Sequence, residues 1–242
     1  MSICHFCYEP ARSNEDAWPL WLISKFDGVQ AIMGADIGAK SQRWPTDTPR
    51  ARIRCVCKRC NNEWMSQIES ATKPTIEQMI TSEATPLGPE AQVVLARWAV
   101  KTAMVFQAAD RLREPFYSRA ERAAFKERFE LPAHTSVWAA TCVENRSVFT
   151  LASVLGSEEF NPTVSGFVTS LVFGPLALQV LTIRPPVEIP NTTRITIETS
   201  ANPWQEILLP LWPSTGEHLS WPTRMALRGE DGVNLLATRF RP

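Results

Sequence analysis

Between residues 90 and 112 the chain carries Val93, Val94, Leu95, Trp98, Ala99, Thr102, Ala103, Val105 and Phe106 at helical spacing. That stripe is wide enough to predict a long helix buried on more than one side. A second, more polar helix, carrying Arg119, Arg122, Lys126 and Arg128, is predicted over 118–129. Beyond Pro132 the period changes from helix to strand. Strands are predicted at 136–143, 147–155, 166–173, 176–183, 194–199 and 207–209, with turns at Glu144-Asn145-Arg146 and Gly174-Pro175. The simplest arrangement is an antiparallel sheet packed against the long helix.

The N-terminal third is patterned differently. Residues 1–12 read as a short knuckle around Cys4 and Cys7. Ser13 or Asn14 then suits a helix cap, Glu15 and Asp16 a first turn, and Trp18, Trp21 and Leu22 an apolar face, with Pro19 near the helix start. Residues 27–49 are rich in Gly, Asp, Ser, Thr and Pro and predict a long loop with one strand. In 50–55, alternation places Arg50, Arg52 and Arg54 on one strand face and Ala51, Ile53 and Cys55 on the other. A helix is predicted from Asn61 or Asn62 to about residue 72, with Trp64, Met65 and Ile68 inward, and Pro74 breaking or restarting it. The loop at 83–89 is the expected boundary between two domains, 1–82 and 83–242. The fold class is α+β.

Composition narrows the partners. With 44% hydrophobic and 21% charged residues the chain is globular, and its net charge of zero means that any nucleic-acid surface must be local. The longest apolar run, 166–183, is broken by Gly174-Pro175 and fits two buried strands rather than a membrane span. With no leader recognised before Cys4, a soluble cytoplasmic protein is expected.

Six cysteines, four of them in the pairs Cys4/Cys7 and Cys57/Cys60, point to a thiolate metal site rather than disulfides. Four thiolates close a tetrahedral zinc site and leave no position for water, so the zinc would hold structure. Cys55 lies on the same side as Cys57 and is an alternative ligand; CxxC spacing favours Cys57. Cys142 reads as a core residue. Arg50, Arg52, Arg54, Lys58 and Arg59 form a basic stripe beside the second knuckle, suited to phosphate contact or simply to a solvated face.

Taken together, Cys4 and Cys7, then Ser13-Asn14-Glu15-Asp16-Ala17-Trp18-Pro19-Leu20-Trp21-Leu22, then Cys57 and Cys60 with Asn61-Asn62-Glu63-Trp64-Met65-Ser66-Gln67-Ile68-Glu69, resemble the zinc-containing HNH (ββα-metal) endonucleases. The likeness is to a bacterial and phage set, covers about residues 1–75 and has a weaker echo around Trp98. It implies a zinc-stapled ββα-metal module that cleaves DNA, or alternatively RNA, with a catalytic Mg²⁺ or Mn²⁺ beside the structural zinc. Carried over, Glu15 would be the acidic ligand and Asn61 the helix-start residue, while Asp16 stands where the family has its general-base histidine. An acid of ordinary pKa near 4 is a weaker base at neutral pH than imidazole. The alternative is a catalytically inactive zinc module that binds nucleic acid or a protein partner. In that case Glu15 and Asp16 only complement a helix terminus, Asn61 and Asn62 only cap, and Trp18, Trp21 and Trp64 are core around the zinc. Residues 132–242 contain no motif with a chemistry, and a protein partner bound there is a third expectation.

Overall fold

The computed structural model describes residues 2–16, 18–26, 31–37, 40–46, 52–81, 83–108, 115–145, 148–155, 165–184 and 204–240. In chain order they form β1 (Ser13–Asp16), α1 (Leu20–Ile23), β2 (Ala31–Ile37), β3 (Lys40–Thr46), β4 (Arg52–Val56) and α2 (Lys58–Cys60). A π-helical turn (Asn61–Met65) leads into α3 (Ser66–Ile80), followed by β5 (Thr85–Leu87), α4 (Pro89–Gln107) and α5 (Arg119–Arg128). The remainder comprises β6 (Thr135–Val143), β7 (Val148–Leu155), β8 (Ser165–Phe173), β9 (Leu176–Arg184), α6 (Trp204–Ile207), β10 (Leu208–Trp212), β11 (Leu219–Trp221), β12 (Leu227–Arg228) and α7 (Gly229–Thr238).

The main sheet runs β10-β6-β9-β8-β7-β2-β3, with β12 added to β6. Its centre is antiparallel, and the β8–β9 hairpin closes at Gly174, whose φ of 55° suits a residue without Cβ. Two pairings are parallel, β2 with β7 and β12 with β6, so the sheet is mixed rather than purely antiparallel. Strands β8 and β9 are buried almost end to end because both faces are covered. Trp98 of α4 packs with Leu171, Phe173, Leu176 and Leu178 on one face. Val233, Leu236 and Ala237 of α7 pack with Val172, Ala177 and Leu151 on the other. Gln179 lies in this second layer, fully buried, and donates to Ser170 Oγ and the Leu236 carbonyl, both at 2.8 Å. Helix α7 was not expected: Gly229 and Gly232 weaken its helical signal, and sheet contacts supply the stability that propensity does not.

Four further expectations are corrected. Residues 13–16 are a strand, not a helix start, because β4 offers a pairing partner and Asp16 lies across from Arg52. The helix after Pro19 lasts one turn. Helix α3 runs through Pro74, which leaves the Ser70 carbonyl without its usual donor, while fully buried Ile76 and Met79 hold the helix in place. The boundary at 82–83 does not separate two cores. Strand β2 joins the main sheet, one apolar cluster runs from Cys4 and Trp64 to Trp98 and Leu171, and Trp18 donates to Thr150 Oγ1 at 2.9 Å. The strand expected at 194–199 and the last residues of the long helix, 109–112, lie outside the described residues. Among the described residues no helix is long and apolar enough to cross a membrane.

Candidate metal centre and adjoining cationic surface

The first knuckle is a tight loop closed by backbone bonds from Cys4 N–H to the Glu9 carbonyl (2.8 Å) and from Ala11 N–H to the Ser2 carbonyl (2.9 Å). The second forms where β4 ends. Cys57 caps α2, its Sγ accepting from Cys60 N–H at 3.3 Å, and Asn61 N–H reaches the Cys57 carbonyl at 3.1 Å. A bulge brings the knuckles together. Between Ser13 and Glu15 the β1–β4 register slips so that Asn14 faces both Arg54 and Cys55. The Cys55 carbonyl then accepts from His5 N–H at 2.7 Å, which binds one knuckle to the other.

The result is a cluster in which the sulfurs of Cys4, Cys7, Cys57 and Cys60 all lie within 4.8 Å of one another. All six cysteines are free thiols. The Cys7–Cys57 and Cys7–Cys60 sulfur separations are 3.6 and 3.8 Å, against about 3.8 Å for the edge of a tetrahedron with zinc–sulfur bonds of about 2.3 Å. The buried indole N–H of Trp64 faces the Cys60 sulfur and favours its thiolate form. Donor chemistry and spacing therefore fit a closed structural metal site, with Cys57 rather than Cys55 in the set. Cys55 is buried outside it, and burial, with the nearby Glu15 carboxylate, pushes its thiol up to about 12. The hydrogen bond between Cys4 and Cys60 lowers the Cys4 thiol and raises that of Cys60, as two sulfurs sharing one proton do.

Helix α5 supports the first knuckle. Arg122 Nε donates to the His5 carbonyl at 2.7 Å and its Nη1 to Tyr117 O; Arg119 Nη2 donates to the Cys7 carbonyl at 3.3 Å and stacks on Tyr8 at 3.8 Å. Burial and the charge of Arg122 hold the His5 imidazole down at about 3, so it is neutral. Phe6, Phe125 and Phe129 pack around Trp64. Trp64 is thus core beside the cysteines, whereas Trp18 packs on Phe106 beneath the sheet and Trp21 is only half-buried under Lys73.

The carboxylates expected to bind a catalytic metal have other partners. Glu15 is 3% exposed and meets Lys101 Nζ at 3.1 Å, and Glu69 meets the same ammonium at 2.8 Å. Burial alone would lower the Lys101 pKa, but the flanking carboxylates raise it, so the ammonium persists. With two carboxylates on one buried cation, Glu15 is disfavoured as an anion; burial pushes its pKa up, against the pull of Lys101. Asp16 points the other way and pairs with Arg52 at 3.2 Å. Asn61 meets the same strand, where its Nδ2 donates to Ser13 Oγ (2.8 Å) and the Asn14 carbonyl (3.1 Å), fastening the helix start to the bulge.

The basic stripe divides in two. Arg52 and Arg59 have carboxylate partners, Asp16 and Glu63. Arg54 and Lys58 have none among the described residues, nor has Arg12 on the chain leaving the first knuckle. All three line one cavity of about 870 Å³ beside the cysteine cluster, together with Ser2, His5 and Gln107. Arg50 lies outside the described residues. Sequence reading missed Arg12, Lys101, Arg119 and Arg122. For Lys101 a signal existed, since a lysine inside a broad apolar helical stripe needs a buried counterion. Comparison with known protein families, characterised proteins and solved structures found no match, so geometry alone carries the functional reading.

Proposed function

We propose that the chain is a zinc-stapled module that binds nucleic acid through its phosphates and does not cut it. The observation that carries this reading is the convergence of Arg12, Arg54 and Lys58, without carboxylate partners among the described residues, on one face of a chain whose net charge is zero. Elsewhere Arg128, Arg184 and Arg228 are paired with carboxylates. Cations left unpaired on a surface held rigid by two knuckles suit phosphate contact, which needs fixed positive charge more than sequence-reading groups. Against hydrolysis stands the Lys101 ammonium, which already neutralises the one buried carboxylate offered as a metal ligand.

The test is binding of a labelled oligonucleotide across a salt series. Affinity should fall steeply with salt, and Arg54→Ala should reduce the log–log slope by about one unit. Binding that salt leaves unchanged would exclude a phosphate-dominated contact. Hydrolysis is a second reading, favoured by the antiparallel β1–β4 pair leading into a helix with Asn61 against the Glu15–Asp16 strand. It requires Asp16 and Asn61 to hold Mg²⁺ or Mn²⁺, which would polarise a phosphate oxygen. Plasmid cleavage with either ion, lost in Asp16→Ala, would establish it and displace the binding reading.

A further inference from the structure

The cavity beside the knuckles has a more specific chemistry than a general phosphate-binding face. Its cations come from three separate segments: Arg12 after the first knuckle, Arg54 at the β4 bulge and Lys58 at the start of α2. No carboxylate is among the described residues that line it. Arg54 is oriented by its Nε bond to the Ala11 carbonyl at 3.3 Å. Ile3, Ala108 and Pro115 supply apolar lining to the same cavity. Gln107 also lines it, 9% exposed, and its Oε1 accepts Tyr117 N–H at 3.2 Å. That bond fixes the plane of the amide.

We infer that this cavity takes a nucleoside 5′-monophosphate, with the phosphate at Arg12, Arg54 and Lys58 and the base against Ile3, Ala108 and Pro115. Charge selects the monoester. A terminal phosphate carries about −1.5 to −2 at neutral pH, against −1 for an internal diester, and three cations with no carboxylate among the described lining residues match the larger charge. Size agrees: about 870 Å³ is within the usual range of small-ligand sites, about 300–1,000 Å³, and cannot admit a duplex. The nucleotide could be the 5′ end of a strand or a free molecule. The inference rests on the phosphate-binding reading above and extends it by naming the group recognised.

Fluorescence anisotropy with 3′-labelled single-stranded oligonucleotides, one with a 5′-phosphate and one with a 5′-hydroxyl, tests this directly, with AMP as competitor. The phosphorylated strand should bind about tenfold more tightly or better, and AMP should displace it. In Arg12→Ala, at an exposed position, the difference between the strands should vanish; Arg128→Ala should leave it intact. Equal, salt-sensitive binding of both strands would overturn the pocket while leaving the phosphate-binding reading standing. A preference that survives in Arg12→Ala also overturns the pocket. Binding of AMP with neither strand bound would keep the pocket as a free-nucleotide site and overturn nucleic-acid binding, and no binding of any probe would overturn both.

Discussion

Lys101 is the residue on which the interior of the N-terminal half depends. It emerges from α4 fully buried, and Glu15 and Glu69 reach it from β1 and α3, so three elements meet at one ammonium. A buried ion pair adds little stability over an apolar replacement of the whole group, but removing one member leaves charge stranded in low dielectric. Lys101→Met should therefore lower unfolding stability by about 3–5 kcal/mol in urea titrations. Little change would mean that the carboxylates escape to water and that the triad is not a structural joint. Sequence could not place Glu15 here. Its neighbours favour a helix start as readily as a strand, and its counterion lies far along the chain on an element whose pattern says only that it is buried.

Among the elements, α5 joins the metal centre to the sheet. It starts with a capping box in which Ser118 Oγ accepts Glu121 N–H and Glu121 accepts Ser118 N–H, and it ends at Phe129 in the left-handed region. Its Arg119 and Arg122 hold the first knuckle's carbonyls, which orients Cys4 and Cys7 at one remove. Arg122→Ala should weaken metal affinity by about 10- to 100-fold in chelator competition, whereas a purely surface role would leave it unchanged. Glu121 also accepts from Arg184 of β9 at 2.6 Å. Burial alone would raise its pKa, but Arg184 and Ser118 bring it below the ordinary carboxylate range. The depressed value means that Glu121 contributes stability above its unfolded pKa and loses it as pH falls through the folded one. The stability gap between wild type and Glu121→Gln should therefore be open at neutral pH and narrow in acid; a gap that is constant with pH would contradict the assignment. The elements most legible from sequence were those with a single period and clear turns, such as α4 and the strands from β6 to β9. Strand β1 was not legible, because its four residues are too few to show alternation and its pairing partner is remote.

At the scale of the molecule, the division into a zinc module and a separate sheet domain gives way to one core. Cys4, Trp64 and Ile68 belong to the same apolar cluster as Trp98, Leu171 and Leu211, and β2 is a strand of the main sheet. Metal loss should therefore lower the thermal midpoint of the whole cooperative transition, rather than melt a detached N-terminal piece first. Two resolved transitions after chelation would contradict a shared core. The cysteine pattern was legible because CxxC spacing carries its own local geometry; the joint with the sheet was not, since it depends on contacts such as Trp18 with Thr150 across the chain. A metal bound by the four cysteines would tie together the segments that line the cationic cavity and those that α5 supports. Zinc-edge X-ray absorption of the purified protein, with metal content measured on the same sample, tests that most directly. One zinc per chain with four sulfurs at about 2.3 Å is the expected result. A mixed sulfur and nitrogen or oxygen shell, or thiols that bind no zinc, would contradict it.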